Sequence, residues 1–169
     1  MSGLDRLNAL PPEAAEAEFR ACCGSRAWSR RMAERRPFAG EAELLAEAER
    51  AWWALTPDDW TEAFRSHPRI GERRSETAQP ERGARWSAQE QSGVAAAHQA
   101  TLAALAEGNR VYEERFGRIY IVCATGRSAG EMLDILRARL ANDPETELRV
   151  AAGEQAKITR LRLEKLLNA

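Results

Sequence analysis

The sequence predicts an all-α fold, in which several helices form one compact bundle. Ala, Leu, Glu and Arg dominate the composition, and these residues favour helices. Apolar residues recur at helical spacing along most of the chain, whereas residues 119–124 are the one candidate for buried extended chain. The 169 residues are enough to bury a core, and no repeat or linker divides them. We therefore expect a single domain over residues 1–169.

Capping residues and helix breakers predict four helices in the first part of the chain. Prolines open the first and the fourth, Ser25 caps the second and Thr56 caps the fourth. Gly24 and Gly40 separate neighbouring helices. The predicted helices cover residues 12–22, 26–35, 41–55 and 57–66.

A long loop is predicted over residues 68–86, which are polar, interrupted by glycine and proline, and without periodicity. Loops of this length inside a compact domain are uncommon and are typically functional or mobile. Ser87 and Glu90 then match the capping box S-x-x-E, which predicts the start of a helix that ends near residue 107, before Gly108.

The last part of the chain carries three further helix signals. Gly117 is expected to end a short helix, and Thr125 and Gly126 to form a turn before a helix that Ser128 caps. The final helix should contain an irregularity near Gly153. These helices are predicted over residues 109–116, over 128–141 and from residue 144 onward.

Composition excludes several functional classes. The chain has 25 Lys and Arg against 26 Asp and Glu, so its charge does not favour nucleic acid as a partner. Its three cysteines include no C-x-x-C pair, and with only two histidines neither a disulfide framework nor a metal site is expected. No segment has membrane-spanning length, and no signal peptide is apparent. A reduced cytoplasm is the expected location, with Cys123 as a buried thiol.

His67 is the first candidate for chemistry. It directly precedes Pro68, which keeps a residue out of the helical region, so it should emerge at the end of the helix predicted over 57–66. An imidazole titrates near ~6.5 and suits proton transfer, although histidines also occur at helix ends for stability alone. The other histidine, His98, lies within a predicted helix and is expected to be structural.

Glu90 and Arg162 are the other candidates, and each has a structural alternative. Glu90 can complete the capping box of Ser87, yet the same helix start offers free N–H groups to a bound anion or carbonyl. Arg162 falls on the apolar arc of the last helix, which is costly unless a carboxylate meets the guanidinium. That carboxylate belongs either to the protein or to an acidic ligand.

Motifs along essentially the whole chain carry a resemblance to one family. They are Ala63-Phe64, His67-Pro68-Arg69-Ile70-Gly71, Trp86-Ser87, Glu90-Gln91, Arg115-Phe116-Gly117, Ile121-Val122-Cys123-Ala124-Thr125-Gly126-Arg127-Ser128 and the closing Glu154-Gln155-Ala156-Lys157-Ile158-Thr159-Arg160-Leu161-Arg162. In this order they resemble the OHCU decarboxylases, which act on 2-oxo-4-hydroxy-4-carboxy-5-ureidoimidazoline (OHCU) in the route from urate to allantoin.

The resemblance implies an all-α enzyme that makes (S)-allantoin without a metal or an organic cofactor, from a small-molecule substrate and usually as a homodimer. It also implies that His67 is the proton donor, that Glu90 is a catalytic acidic residue and that Arg162 reaches the substrate. The residues that it places along the substrate are Pro68, Ser87, Ala88, Gln89, Glu90, Gln91, Tyr120, Ile121, Val122, Cys123 and Ala124.

The chain departs from the family pattern at Arg118, where an aromatic residue is usual. This side chain either points to solvent or adds a second cation beside the substrate. Two other functions stay open at this point: a helical binding or interaction module without turnover, and decarboxylation of a related ureido acid. The division of proton-transfer roles between His67 and Glu90 is open as well.

Overall fold

The computed structural model describes residues 1–70 and 99–169, and every regular element in those two ranges is a helix. The predicted all-α fold is therefore confirmed. None of these helices is long and apolar enough to cross a membrane. The helices are α1 (Gly3–Ala9), α2 (Pro12–Cys22), α3 (Arg26–Arg35), α4 (Glu41–Trp53), α5 (Pro57–Arg65), α6 (Gln99–Phe116), α7 (Ala129–Arg139) and α8 (Pro144–Leu167).

The described chain forms two compact units. One comprises Met1–Ala63 with Ala156–Ala169, and the other comprises Phe64–Gln155. We call them the first unit and the second unit. The single domain expected from chain length stays a prediction.

In the first unit, α3 starts where the sequence predicts, because Ser25 caps it. The Ser25 hydroxyl accepts a hydrogen bond from the Trp28 N–H at 3.2 Å. The Trp28 side chain is fully buried, and its indole N–H donates to the Ala48 carbonyl of α4 at 3.1 Å. The ring of Phe19, from α2, meets the Trp28 ring edge-on at 6.0 Å. This tryptophan thus holds three helices around one core.

Helix α1 is absent from the predicted elements, although its first residues carry a recognisable signal. The Ser2 and Asp5 side chains form a reciprocal capping box. At the other end, the Arg36 guanidinium donates to the carbonyls of Leu7 and Leu10 at 2.8 Å each. These bonds satisfy carbonyls that a helix end leaves without partners.

In the second unit, α6 runs without interruption through Gly108, so the predicted break at this glycine is wrong. A Cβ atom at Gly108 would lie 2.5 Å from Cδ2 of Leu136, which is fully buried in α7. Gly108 therefore permits the close approach of two helices. The irregularity expected near Gly153 is also not found, because α8 is helical from Pro144 to Leu167.

The segment that joins α6 to α7 begins and ends as predicted. Gly117, with φ of +72°, follows α6, and Gly126, with φ of +78°, forms the turn before α7. Both angles lie in the left-handed region that glycine adopts at low cost. Ser128 and Glu131 then form a reciprocal capping box at the start of α7.

Candidate active site

His67 lies directly after α5, where the chain leaves the helix. Its backbone N–H donates to the Phe64 carbonyl at 3.2 Å, and Pro68 then prevents another helical turn. The imidazole is partly buried. The predicted position of His67 at a helix C-terminus is confirmed, and its catalytic role stays a prediction.

The imidazole of His67 contacts a buried amide from the last helix. Its Nε2 lies 2.6 Å from Oε1 of Gln155, and Gln155 is fully buried. Both residues belong to the second unit, although 88 residues separate them in the sequence. The side chain of Gln155 therefore restrains the imidazole ring, and the backbone hydrogen bond to Phe64 restrains the main chain of His67.

The chain that follows His67 is anchored by an ion pair. Nε and Nη2 of Arg69 donate to the two carboxylate oxygens of Glu113 in α6, at 2.8 and 2.7 Å. This two-point geometry fixes orientation better than a single contact does. The pair is substantially exposed, so its contribution to stability is small, at about 0–1 kcal/mol. Its effect is to fix the path of the chain next to Pro68.

The segment 120–124, which the family resemblance places along the substrate, is buried and makes no strand. Its backbone is held instead by side chains from neighbouring helices, since a buried N–H or carbonyl needs a partner. The exposed fractions of its residues are 2% for Tyr120, 2% for Ile121, 6% for Val122, 7% for Cys123 and 9% for Ala124. The predicted burial is confirmed for residues 120–124 and for the Cys123 thiol, and the segment forms no helix, while its extended conformation stays a prediction.

Two polar side chains bind the N–H groups of this segment. Oδ1 of Asn109 accepts from the Tyr120 N–H at 3.1 Å, and Oε1 of Glu154 accepts from the Cys123 N–H at 3.1 Å. Glu154 is itself paired with Arg127 at 2.8 Å. The residue next to Gln155 in α8 thus fixes the buried segment.

Arg139 supports the same segment from α7. Its Nη1 donates to the Ile121 carbonyl at 2.7 Å, while its other nitrogens bind the fully buried Glu147 of α8. The Tyr112 hydroxyl also donates to Glu147, and Asn142 binds this carboxylate at 3.1 Å. Burial, and then the bond to Glu147, raises the pKa of Tyr112, so its hydroxyl stays protonated as a donor at neutral pH.

Arg162 belongs to the first unit, where it is 2% exposed. The predicted burial of this arginine is confirmed. Its positive charge acts on the fully buried thiol of Cys23, which the Thr159 side chain also contacts. Burial nevertheless raises the pKa of Cys23 to about 11, because it disfavours the thiolate. Cys23 is therefore a neutral thiol near pH 7 and not a nucleophile.

Arg118 does not simply point to solvent. Its Nε and Nη2 atoms are buried and have no hydrogen-bond partner among residues 1–70 and 99–169. Nη1 makes a long contact with the Phe116 carbonyl at 3.5 Å, and the guanidinium lies 5.7 Å from the centre of the Phe116 ring. This position does not fit the predicted placement in solvent, and the alternative, a second cation beside the substrate, stays a prediction.

The other predicted site residues fall outside the described part of the chain. Glu90 is among them, together with Ser87, Ala88, Gln89 and Gln91, and the predicted loop lies outside it from residue 71 onward. Their proposed roles stay predictions. Residues 1–70 and 99–169 contain no group of three or more His, Cys, Asp or Glu side chains that could hold a metal ion.

Sequence reasoning missed Gln155 and Glu154 as candidate site residues. For Gln155, the signal that could have found it is the one that found Arg162. Gln155 precedes Arg162 by seven residues, which is two helical turns, so it is a second polar residue on the same arc of α8. A buried glutamine at such a position needs hydrogen-bond partners, and His67 is one of them.

Comparisons with known proteins agree with the resemblance. A model of the OHCU decarboxylase family matches residues 8–164. The chain is 37% identical over 157 residues to the uric acid degradation bifunctional protein TTL of Arabidopsis thaliana, covering 92% of this chain and 48% of that protein. It is 32% identical over 138 residues to the 2-oxo-4-hydroxy-4-carboxy-5-ureidoimidazoline decarboxylase of Mus musculus, covering 79% of this chain and 75% of that protein. The corresponding protein of Amia calva is 30% identical over 135 residues, covering 78% of this chain and 75% of that protein.

Solved structures show the same relationship. An OHCU decarboxylase crystallised in the presence of (S)-allantoin superposes with a TM-score of 0.77 at 37% identity, covering 90% of this chain and 99% of that one. An (S)-allantoin synthase superposes with a TM-score of 0.72 at 16% identity, covering 97% of this chain and 53% of that one, which supports the fold alone. The chain described here therefore belongs to the OHCU decarboxylase family, a family of carboxy-lyases.

Proposed function

We propose that this chain decarboxylates OHCU to (S)-allantoin, at the end of the route from urate to allantoin, with His67 as the proton donor. The family supports the reaction, and the matched structure that was crystallised with (S)-allantoin fits this product. The observation that carries the role of His67 is its restraint on two sides. Pro68 limits its backbone, and Gln155 holds its ring at 2.6 Å.

The chemistry needs little from the protein besides geometry and one proton. When the bond between the ring carbon and the carboxylate breaks, CO₂ leaves and the electron pair passes into the ring, where the C=N group of the substrate accepts it. A proton then adds to carbon. Because the substrate supplies its own electron sink, the reaction requires no organic cofactor. An imidazole fixed on one face of the ring would deliver the proton from that face and make a single enantiomer.

Arg162 would bind the anionic substrate. A guanidinium keeps its charge when buried, and it pairs with a carboxylate through two parallel hydrogen bonds. Arg162 is 2% exposed, a position in which a charged ligand group would be recognised strongly because little water competes. The buried segment 120–124, together with Pro68, would line the substrate ring.

Glu90 would orient either the substrate or His67 and favour the charged imidazole. The helix start predicted at Ser87 would offer its N–H groups, and Gln91 its amide, to the ring and ureido groups of the substrate. In an alternative scheme, His67 first acts as a base toward the C4 hydroxyl of OHCU. Replacement of Glu90 by Gln tests this assignment, since a residue that tunes His67 shifts the pH profile of kcat as well as its magnitude.

We also propose that the chain acts as a homodimer in the cytoplasm. The family resemblance supports the dimer, and the three cysteines, which are all free thiols, fit a reducing compartment such as the cytoplasm. Size-exclusion chromatography with light scattering should give about twice the chain mass of 18.8 kDa. The mass of a monomer would contradict the dimer without affecting the assigned reaction.

The decisive experiment follows freshly generated OHCU by circular dichroism. The wild type should form (S)-allantoin quickly and in one handedness, and His67→Asn should lower kcat by roughly 10²- to 10⁴-fold because the proton donor is lost. The matched control is His98→Asn, which changes the other histidine of the chain and should keep wild-type kcat. Far-ultraviolet circular dichroism checks that each variant remains helical.

Two results would change the assignment. If the wild type is no faster than the slow, racemic decay of OHCU, the chain is a binding module and not a decarboxylase. If His67→Asn keeps its activity, the reaction stands and the proton donor is another residue. Comparison with related ureido acids then determines whether OHCU is the preferred substrate.

A further inference from the structure

The contact between His67 and Gln155 favours one tautomer of the imidazole. The amide oxygen of glutamine only accepts hydrogen bonds, so Nε2 of His67, which lies 2.6 Å from Oε1, makes this bond as the donor in the tautomer that carries its hydrogen on Nε2. An imidazolium bears a hydrogen on both nitrogens, and only an acceptor can lie this close to it. Oε1 of Gln155 therefore matches the charged form that a proton donor requires.

The hydrogen on Nε2 has a consequence for the reaction. While Oε1 of Gln155 accepts that hydrogen, the proton that His67 gains and loses is the one on Nδ1. Neutral His67 is then the Nε2–H tautomer, and the choice of tautomer by the partner of one ring nitrogen is general for histidine. Nδ1 becomes the atom that exchanges a proton with the substrate.

Gln155 is well placed to act in this way. It is fully buried in α8, and the preceding residue, Glu154, is fixed by the Cys123 N–H and by Arg127. His67 itself leaves α5 with its backbone restricted by Pro68. The two residues thus meet from rigid positions, and such support is what keeps a reacting group in its productive geometry.

A neutral amide also differs from a carboxylate in its effect on the ring. A glutamate at position 155 would accept the same hydrogen bond but would add a negative charge beside the ring. Glutamine accepts the same hydrogen bond without adding a charge. Gln155 therefore orients the imidazole ring without adding a charge that would hold the proton on Nδ1.

We propose that Gln155 is a positioning residue of the decarboxylase reaction: it holds His67 as the Nε2–H tautomer and makes Nδ1 the proton donor. This inference rests on the role of His67 under the proposed function. It adds Gln155 as a second residue in the proton transfer and names Nδ1 as the donor atom of His67.

The first test is kinetic. Gln155→Met keeps the length of the side chain but removes the acceptor, and it should lower kcat by about 10- to 100-fold with KM changed less than about threefold, because the ring loses its orientation. Gln155→Glu keeps an acceptor and should retain a kcat at least about fivefold above that of Gln155→Met, which a purely structural role would not produce. Gln99→Met, at an exposed position of α6, is the matched control and should keep wild-type kinetics.

The second test reads the tautomer directly in the wild type, and its result does not depend on the activity of any variant. In protein labelled with ¹⁵N-histidine, the chain gives two imidazoles, and the spectrum of His67→Asn identifies the signals of His67. At a pH well above the ordinary imidazole range of about 6.5, wild-type His67 should be the Nε2–H tautomer. Gln155→Met should show a mixture of both tautomers.

The outcomes separate this inference from the proposed function. An Nδ1–H tautomer in the wild type, or wild-type kcat in Gln155→Met, overturns the role of Gln155 while leaving decarboxylation by His67 intact. If the wild type does not decarboxylate OHCU at all, the proposed function fails, and the tautomer measurement still decides whether Gln155 directs the ring.

Discussion

Cys23 illustrates, at the scale of one residue, how a buried group links stability to pH. Its thiol is fully buried, and this burial raises its pKa to about 11 from the model-compound value of 9.0. The unfolded chain therefore loses this proton at lower pH than the folded chain does. Between these two pKa values, a rising pH favours the unfolded state increasingly. The contribution of the Cys23 thiol to the stability of the fold is therefore complete below pH 9 and is lost toward pH 11.

We predict that, as the pH rises from 8 to 10, ionisation of the Cys23 thiol in the unfolded chain lowers the free energy of unfolding by about 1 kcal/mol. Urea denaturation at both pH values, for the wild type and for Cys23→Ala, measures this. At pH 8, the difference in free energy of unfolding between the wild type and Cys23→Ala reports the packing contacts that are lost with the sulfur atom. If this difference changes at pH 10, the change reports the ionisation of the Cys23 thiol. An unchanged difference would contradict its raised pKa.

At the scale of the element, local signals fix where most helices start, and packing decides whether they continue. Ser25 and Ser128 each cap a helix at the predicted residue. Gly108 was predicted to end a helix and Gly153 to cause an irregularity, because glycine is a poor helix former, yet both lie inside continuous helices. Gly108 adjoins Leu136 of α7, whereas a Cβ at Gly153 would meet no atom within 4 Å.

The two glycines provide a matched pair of substitutions. Gly153→Ala should raise the free energy of unfolding by about 0.5–1 kcal/mol, since alanine favours the helix and has room. Gly108→Ala gains the same helix preference but places a methyl group against Leu136, and overpacking of this kind costs about 1–3 kcal/mol. Thermal and urea unfolding of both variants should therefore rank Gly153→Ala above Gly108→Ala. Equal stabilities would mean that Leu136 moves aside without cost.

At the scale of the whole molecule, the aromatic residues offer separate probes of the two units. The four described tryptophans lie in the first unit, and both tyrosines of the chain lie in the second. Tryptophan fluorescence therefore follows mainly the first unit, and ¹⁹F resonances of incorporated 3-fluorotyrosine follow only the second.

We predict that the two probes unfold together in urea, with the same midpoint, as the single domain expected from 169 residues requires. A single domain of this size normally unfolds in one cooperative transition. Different midpoints for the tryptophan and fluorotyrosine signals would show that the two units unfold independently, and would contradict the single-domain prediction.

Much of the molecule could be predicted because the relevant forces act over a few residues. The bounds of α2 and α3 follow from Pro12, Ser25 and Gly24, which act on their own helix ends. His67 was correctly placed at a helix end because Pro68 is its neighbour. The order of motifs along the chain also sufficed to indicate the family, which the comparisons then confirmed.

The rest depended on contacts between residues far apart in the sequence. Glu154 reaches Cys123 across 31 residues, and Gln155 reaches His67 across 88, so no local pattern indicates either partner. The sequence by itself determined the helical class, most helix starts and the candidate histidine, because propensity and capping are local. Only the tertiary structure decided that Gly108 allows close packing and that Nε2 of His67 lies against Oε1 of Gln155, because both depend on which atoms the fold brings within contact distance.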